Sequence, residues 1–169
     1  MSPAIVDAYV AAGSNVRPRE SLRRAIAALS ADFPGLKVSR AWSNAAVGFA
    51  GDDFINLVVK FPSDLPVGLL LERLKTVERA QGRGPGAPKW GPRTLDLDLL
   101  LYGDLAGRHA RATLPHPDIA TRAWVLGPLA ELAPDLPHPV SGIPIGEMWR
   151  RFERGAHPLH ETTLDGPDE

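Results

Sequence analysis

Two aspartates, Asp96 and Asp98, stand two residues apart inside the apolar run TLDLDLLLY. On a strand, side chains alternate between faces, so residues at i and i+2 share a face about 7 Å apart along the chain. Two carboxylates at that spacing repel each other unless a cation or protons lie between them. Hard oxygen donors suit Mg²⁺, which is ordinarily held by one or two carboxylates together with substrate phosphates. Two such ions can clamp a polyphosphate during in-line displacement. The same pattern also fits a solvated strand face; the flanking leucines, and Arg93 just before the pair, favour a site.

Arg83, Arg93, Arg111, Arg122 and His116 surround this pair in sequence. Guanidinium forks bind phosphate oxygens through bidentate, charge-assisted bonds, and in phosphoryl transfer they stabilise charge on the migrating and leaving groups. Taken singly, each arginine also fits an ordinary surface, and His116, between Pro115 and Pro117, fits a structural turn. Phe54, Asn56 and Trp124 suit a flat heteroaromatic ligand, with two rings to sandwich it and an amide to match its donor and acceptor edge. The competing reading makes Trp124 core and Phe54 incidental, but an amide on an open sheet face wants a partner. No G-x-x-x-x-G-K-[ST] run is present, and the glycines at 82, 84 and 86 lack the following helix of a dinucleotide fingerprint. Phosphate binding therefore falls to arginines and metal.

The elements that must position these groups can be read from periodicity. Ala4 to Ala12 reads as a strand stopped by Gly13-Ser14-Asn15, a turn by itself, and Pro18 opens a helix with the stripe Leu22, Ile26 and Leu29. Leu36 to Ser43 reads as a second strand and Asn44 to Asp53 as a loop. In the strand Phe54 to Phe61, Ile55, Leu57, Val59 and Phe61 face one way, and Phe54, Asn56, Val58 and Lys60 the other. A second helix follows Ser63, Asp64 and Pro66, with Leu70, Leu74 and Val77 as its stripe, and Gly82 to Pro88 is a loop. In Leu95 to Tyr102 the odd-numbered leucines 95, 97, 99 and 101 share one face, opposite Asp96 and Asp98.

This order predicts an α+β, ferredoxin-like βαββαβ fold: an antiparallel sheet with both helices on one face and the other face free for a site. Beyond Tyr102 come C-terminal additions: a strand or turn over Arg108 to Leu114, a helix over Thr121 to Leu132, and proline-punctuated coil from Pro134 to Pro144. Residues 1–155 read as one domain and 156–169 as a disordered tail.

Composition narrows the classes further. The 169 residues are 44% hydrophobic and 23% charged, ordinary values for a globular chain. A net charge of -1 gives no global attraction to nucleic acid or anionic lipid. Cysteine is absent, which removes disulfides and thiolate chemistry. No apolar run nears the ~18 to 20 residues of a membrane span and no signal pattern opens the chain, so a cytoplasmic protein is expected.

The strings AAGSN (11–15), DDFIN (52–56), QGR (81–83), WGPRTLDLDLLLYG (90–103), LPHP (114–117) and RAWVLGPLAELAP (122–134) resemble the 6-hydroxymethyl-7,8-dihydropterin pyrophosphokinase family of the folate pathway. The resemblance runs in order from about Ala8 to Pro139 and implies pyrophosphoryl transfer from ATP to a pterin alcohol, releasing AMP. It further implies two Mg²⁺ on Asp96 and Asp98, phosphate clamps at Arg83 and Arg93, and Trp90 folding over the site. Glu78, Arg111, Thr113, His116 and Arg122 fall at nucleotide-side positions. Phe54 and Trp124 resemble a pterin sandwich, Asn56 its hydrogen-bonding partner, and Asn44 and Val47 further pterin-side contacts. A monomer acting on small molecules, with no nucleic-acid or membrane partner, is the matching expectation.

The chain departs from the family pattern in places. Ser43-Asn44-Ala45-Ala46 stands where relatives commonly carry Thr-x-Pro or Thr-Pro, Pro85 replaces a frequent second arginine, and Lys75 sits where some relatives have a neutral residue. Two other readings remain open: a diverged paralogue with another acceptor, and a non-enzymatic ferredoxin-like module for RNA or a regulatory ligand. The paired aspartates and the negative net charge speak against the second.

Overall fold

The computed structural model describes residues 4–45, 52–81, 95–156 and 158–168. Within them run β1 (Val6–Ser14), α1 (Pro18–Asp32), β2 (Lys37–Val38), β3 (Ala41–Asn44), β4 (Phe54–Ser63), α2 (Val67–Ala80) and β5 (Asp96–Tyr102). There follow β6 (Gly107–His109), β7 (Ala112–Leu114), α3 (Asp118–Thr121), α4 (Ala123–Leu132), α5 (Ile145–Arg151) and β8 (His160–Thr162). The main sheet has the order β5-β1-β4-β3-β8, with β2 also paired to β4, and its pairings are antiparallel. This is the ferredoxin-like arrangement, with its second strand in two pieces.

Ser39 makes that break. Its N–H donates to Val58 O at 2.9 Å, and its Oγ accepts the Val58 N–H at 2.9 Å. A side chain thus stands in for a backbone acceptor, so the ladder is interrupted without orphaning a buried donor.

One face of the sheet carries the main core. Leu22, Ala25 and Leu29 of α1 and Leu70, Leu74 and Val77 of α2 close over Val10, Leu57, Val59, Phe61, Leu97 and Leu99. Apart from Val10 and Ala25, these are the apolar positions read from the sequence; Ile26, read as part of the α1 stripe, is only partly buried beside them.

The opposite face is not free along its whole length, contrary to expectation. α4 and α5 cover one half of it, burying Tyr9, Val58, Leu100 and Leu101 with Ile119, Val125, Leu126, Leu129 and Ile145. Leu101 belongs here and not with Leu95, Leu97 and Leu99, because the β1–β5 register shifts between Tyr9 and Val10. The extra residue of such a bulge reverses the facing of whatever follows it.

Residues 158–168, within the stretch 156–169 expected as a disordered tail, depart from that expectation. β8 adds to the edge of β3 through Ala41↔Thr162, Trp42↔Glu161 and Ser43↔His160, and the chain then runs to the start of α1. Three residues of modest β propensity give little local signal, whereas an open strand edge is a strong template for pairing. Among the described residues no helix is long and apolar enough to cross a membrane.

Candidate active site

A lateral row of residues crosses this second face of the sheet beyond the core under α4, with Trp42 at one end lining a cleft with Gly127, Ala130 and Glu131 of α4. Register places Trp42 opposite Asn56, Asn56 opposite Gly13, and Gly13 opposite Asp96. Directly opposed residues share a face, so Trp42, Asn56 and Asp96 project together from β3, β4 and β5. One row further, Asp98 lies opposite Ala11, which faces Val58. Both carboxylates are half-buried, while Leu95, Leu97 and Leu99 are sealed on the other side.

Gly13 is required by this row. A Cβ there would lie 2.5 Å from Asn56 Oδ1, closer than any tolerable contact, so the Asn56 amide lies across the glycine. Asn56 in turn donates its Nδ2–H to Asn44 Oδ1, and both amides are buried. Phe54 is opposite Asn44 and half-buried on the same face. Four of the expected acceptor-side and metal-side residues (Asn44, Phe54, Asn56 and Asp96) therefore form one continuous surface, with Asp98 beside it.

On the outer side of β5 the His116 N–H donates to Leu100 O at 2.9 Å, docking the 114–117 turn against the strand. His116 Nδ1 accepts the Asp118 N–H at 3.1 Å. Burial holds the imidazole below its ordinary value of 6.5, against the upward pull of Asp118 and Asp96. The ring is thus neutral near pH 7, and with Nδ1 accepting, its proton sits on Nε2. Arg122 and Trp124 stand at the start of α4, the guanidinium 5.4 Å from the ring centroid, and Trp124 is only partly buried against the second core.

Other expected residues lie elsewhere. Glu78, read as a nucleotide-side residue, is 9% exposed on α2, and its Oε2 accepts the Leu97 N–H at 2.8 Å. β5 is an edge strand. The carboxylate thus satisfies a donor between the two aspartates from the helix side of the sheet. Arg111, on the β6–β7 hairpin, turns to Glu72 of α2 at 2.6 Å with both side chains more than half exposed, and Thr113 is exposed nearby. Val47, Arg83, Trp90 and Arg93, and the 82–88 loop, lie outside the described residues.

Sequence reasoning treated Gly13 and Asn15 as an ordinary turn. β1 instead runs through Ser14, and Asn15 Nδ2 donates to Asp52 O at 3.2 Å. A glycine near the end of a strand was the one available signal, since it marks close approach of another group.

Comparisons with known proteins give the chain relatives in sequence and in structure. Residues 9–134 match the family model described as 7,8-dihydro-6-hydroxymethylpterin-pyrophosphokinase (HPPK). A 2-amino-4-hydroxy-6-hydroxymethyldihydropteridine pyrophosphokinase from Synechocystis sp. is 43% identical over 139 residues, which is 80% of this chain and 70% of the relative. One of the same name from Haemophilus influenzae is 38% identical over 152 residues, 88% of this chain and 94% of the relative. A crystal structure of Plasmodium falciparum HPPK-DHPS, wild type with pteroate, superposes with a TM-score of 0.66 at 11% identity. That superposition covers 89% of this chain and 43% of the longer one, so this chain spans under half of it; the likeness is one of fold.

Proposed function

The chain belongs to the 7,8-dihydro-6-hydroxymethylpterin-pyrophosphokinase family, and from that membership we infer that it transfers pyrophosphate from ATP to the hydroxymethyl group of 6-hydroxymethyl-7,8-dihydropterin. The acceptor oxygen bonds to the β-phosphorus of ATP, the bridge to the α-phosphorus breaks, AMP leaves, and the hydroxyl proton passes to solvent. The observation that carries the reading onto this chain is the row Asn56–Gly13–Asp96, which sets an amide for a heteroaromatic edge beside carboxylates for metal.

The donor set fits Mg²⁺. Among the described residues no three His, Cys, Asp or Glu side chains cluster as a metal cage, so Asp96 and Asp98 are a two-carboxylate site that needs substrate oxygens to complete it. Two Mg²⁺ ions there would offset the charge that develops on the phosphates during transfer. Asp96 and Asp98 hold that site in place, with Glu78 fixing the strand between them through Leu97.

Asn56 reads the pterin edge, with its amide oriented by Asn44, and Phe54 and Trp124 cover the ring faces; Val47 is carried over from the family resemblance as a further pterin contact. His116 offers its Nε2–H to a phosphate oxygen, and Arg122 and Thr113 serve the nucleotide. An exposed ion pair such as Arg111–Glu72 is worth about 0 to 1 kcal/mol. Arg111 therefore exchanges Glu72 for a phosphate at little cost. Arg83, Arg93 and Trp90 complete the phosphate side. The proposed partners are small molecules alone, acted on by a cytoplasmic monomer; a net charge of -1 gives no global attraction to nucleic acid or anionic lipid.

Mass spectrometry of products after incubation with ATP, Mg²⁺ and the pterin alcohol tests the reading. AMP and a pterin diphosphate in equal amounts are expected; ADP with a pterin monophosphate would overturn it.

A further inference from the structure

Helix α1 starts without a cap of its own. Good caps carry a short side-chain oxygen that accepts the N–H of the second or third helical residue. The cap position here is Arg17, in the left-handed region at φ 43° and with no side-chain cap bond. Its N–H groups are instead accepted by a carboxylate far along the sequence. Asp168 accepts from the Arg19 N–H at 2.8 Å with one carboxylate oxygen and from the Glu20 N–H at 3.0 Å with the other, across 149 and 148 residues. Its side chain is only 10% exposed, and a carboxylate at a helix N-terminus is favoured by the helix dipole.

Two arginines of the same helix grip the backbone leading to Asp168. Arg19 donates to Thr163 O at 2.9 Å and to Thr162 Oγ1 at 3.0 Å; Arg23 donates to Gly166 O at 3.0 Å and to Leu164 O. Residues 160–168 are thus fastened at both ends, by β8 on β3 and by Asp168 on α1.

Each fastening reaches a different stem of the acceptor side. β8 pairs with β3 as far as Ser43, and the next residue is Asn44, whose Oδ1 holds the Asn56 amide. On the other stem, Asp52 O is held by Asn15, in the turn that leads into the helix Asp168 caps. Between them opens a polar cleft of about 1010 Å³, lined by Asn15, Ser43, Asp52, Asp53, Thr162 and Asp168 among others.

We propose that the C-terminal strap 160–168, locked onto α1 by Asp168, positions the acceptor subsite by holding both stems that flank it, with Asp168 and Arg19 as positioning residues. The proposal rests on the assignment of Asn44, Phe54 and Asn56 to the acceptor. It predicts an effect confined to that substrate, because β8 and β5 stand at opposite edges of the sheet.

The test compares the full-length parent with Asp168→Ala and Asp168→Glu by steady-state kinetics and by amide hydrogen exchange. Loss of the cap in Asp168→Ala is expected to raise KM for the pterin by about fivefold, with KM for ATP and kcat within about twofold of the parent, and Asp168→Glu to restore most of it. Exchange is expected to quicken at residues 41–45 and 52–56 as well as at the start of α1. Quickening at α1 alone, or a fall in Tm with both KM values unchanged, would make the strap merely structural and overturn the proposal. The exchange pattern requires no turnover, so it reads the strap even if the parent forms no AMP; that result would remove the assigned reaction instead. A chain ending at Leu159 provides a second comparison, with the same stems expected to loosen.

Discussion

Asp96 and Asp98 stand on a seven-residue strand paired to β1 along most of its length, with Leu97 and Leu99 buried behind them. Asn44, across the site, ends a four-residue strand whose outer edge is closed by β8, more than 100 residues later in the chain. On the β5 side, slipping by one residue would expose the buried leucines and bury the carboxylates, so local alternation sets which face the aspartates take, with Glu78 supporting the strand through Leu97. On the β3 side the strand is short, the buried amide pair bridges β3 and β4, and β8 of the C-terminal strap pairs with β3 as far as Ser43. The half proposed to take the phosphates is held by pattern, the half proposed for the acceptor by distant segments. Ser43 and Asn44, in one of the three stretches read as departures from the family pattern, lie on this β3 side.

Substitutions can break or sharpen this contrast. The largest effect is expected from Asp96→Ala, which should lower turnover by at least about a thousandfold while Tm and circular dichroism stay near the parent's. Near-parent AMP formation would remove the metal assignment. Gly13→Ala comes next, because its Cβ would meet Asn56 Oδ1 at 2.5 Å. Displacing that amide should cost about ten- to a hundredfold in kcat/KM for the pterin, with KM for ATP little changed. An equal loss for both substrates would show that the two sides are not separable.

Glu78→Ala addresses the β5 side through its support. It strips the buried Leu97 N–H of its acceptor and should cost about 1 to 3 kcal/mol in urea unfolding, a stability loss absent from Glu72→Ala at the exposed pair.

The smallest expected effect is one of pH, away from both sides. Burial lowers the His138 pKa from its ordinary 6.5, and its Nδ1 accepts the Val140 and Ser141 N–H groups at 3.2 Å. The unfolded chain then binds more protons just below pH 6.5, so stability is full above that value and falls as pH drops through the folded value. His116 contributes in the same direction. Replacing His138 with Gln should flatten the decline slightly in Tm measured from pH 7.5 to 5.

How much of this was legible in the sequence follows the same division. The helix stripes, the facing of β4 and the opposition of Leu97 and Leu99 to the aspartates all follow from periods of 3.6 and 2, and the structure keeps them. Leu101 was misplaced because a bulge shifts register without leaving a mark on alternation. The cover over half of the open face was missed because α4 is apolar nearly all round, and a run such as AWVLGPLAEL does not say which layer it joins. Gly13, Asn15 and Asp168 matter through partners on other elements, and no local pattern reports a partner 149 residues away.

The central claim is that Asp96 and Asp98 form a two-ion site completed by phosphate oxygens. It is tested most directly by counting bound Mn²⁺, as a stand-in for Mg²⁺, by electron paramagnetic resonance with a non-hydrolysable ATP analogue and the pterin present. The parent should hold two ions per chain, and the Asp96→Ala, Asp98→Ala double variant should hold none beyond those carried by the free nucleotide. Two ions retained in the double variant would contradict the assignment.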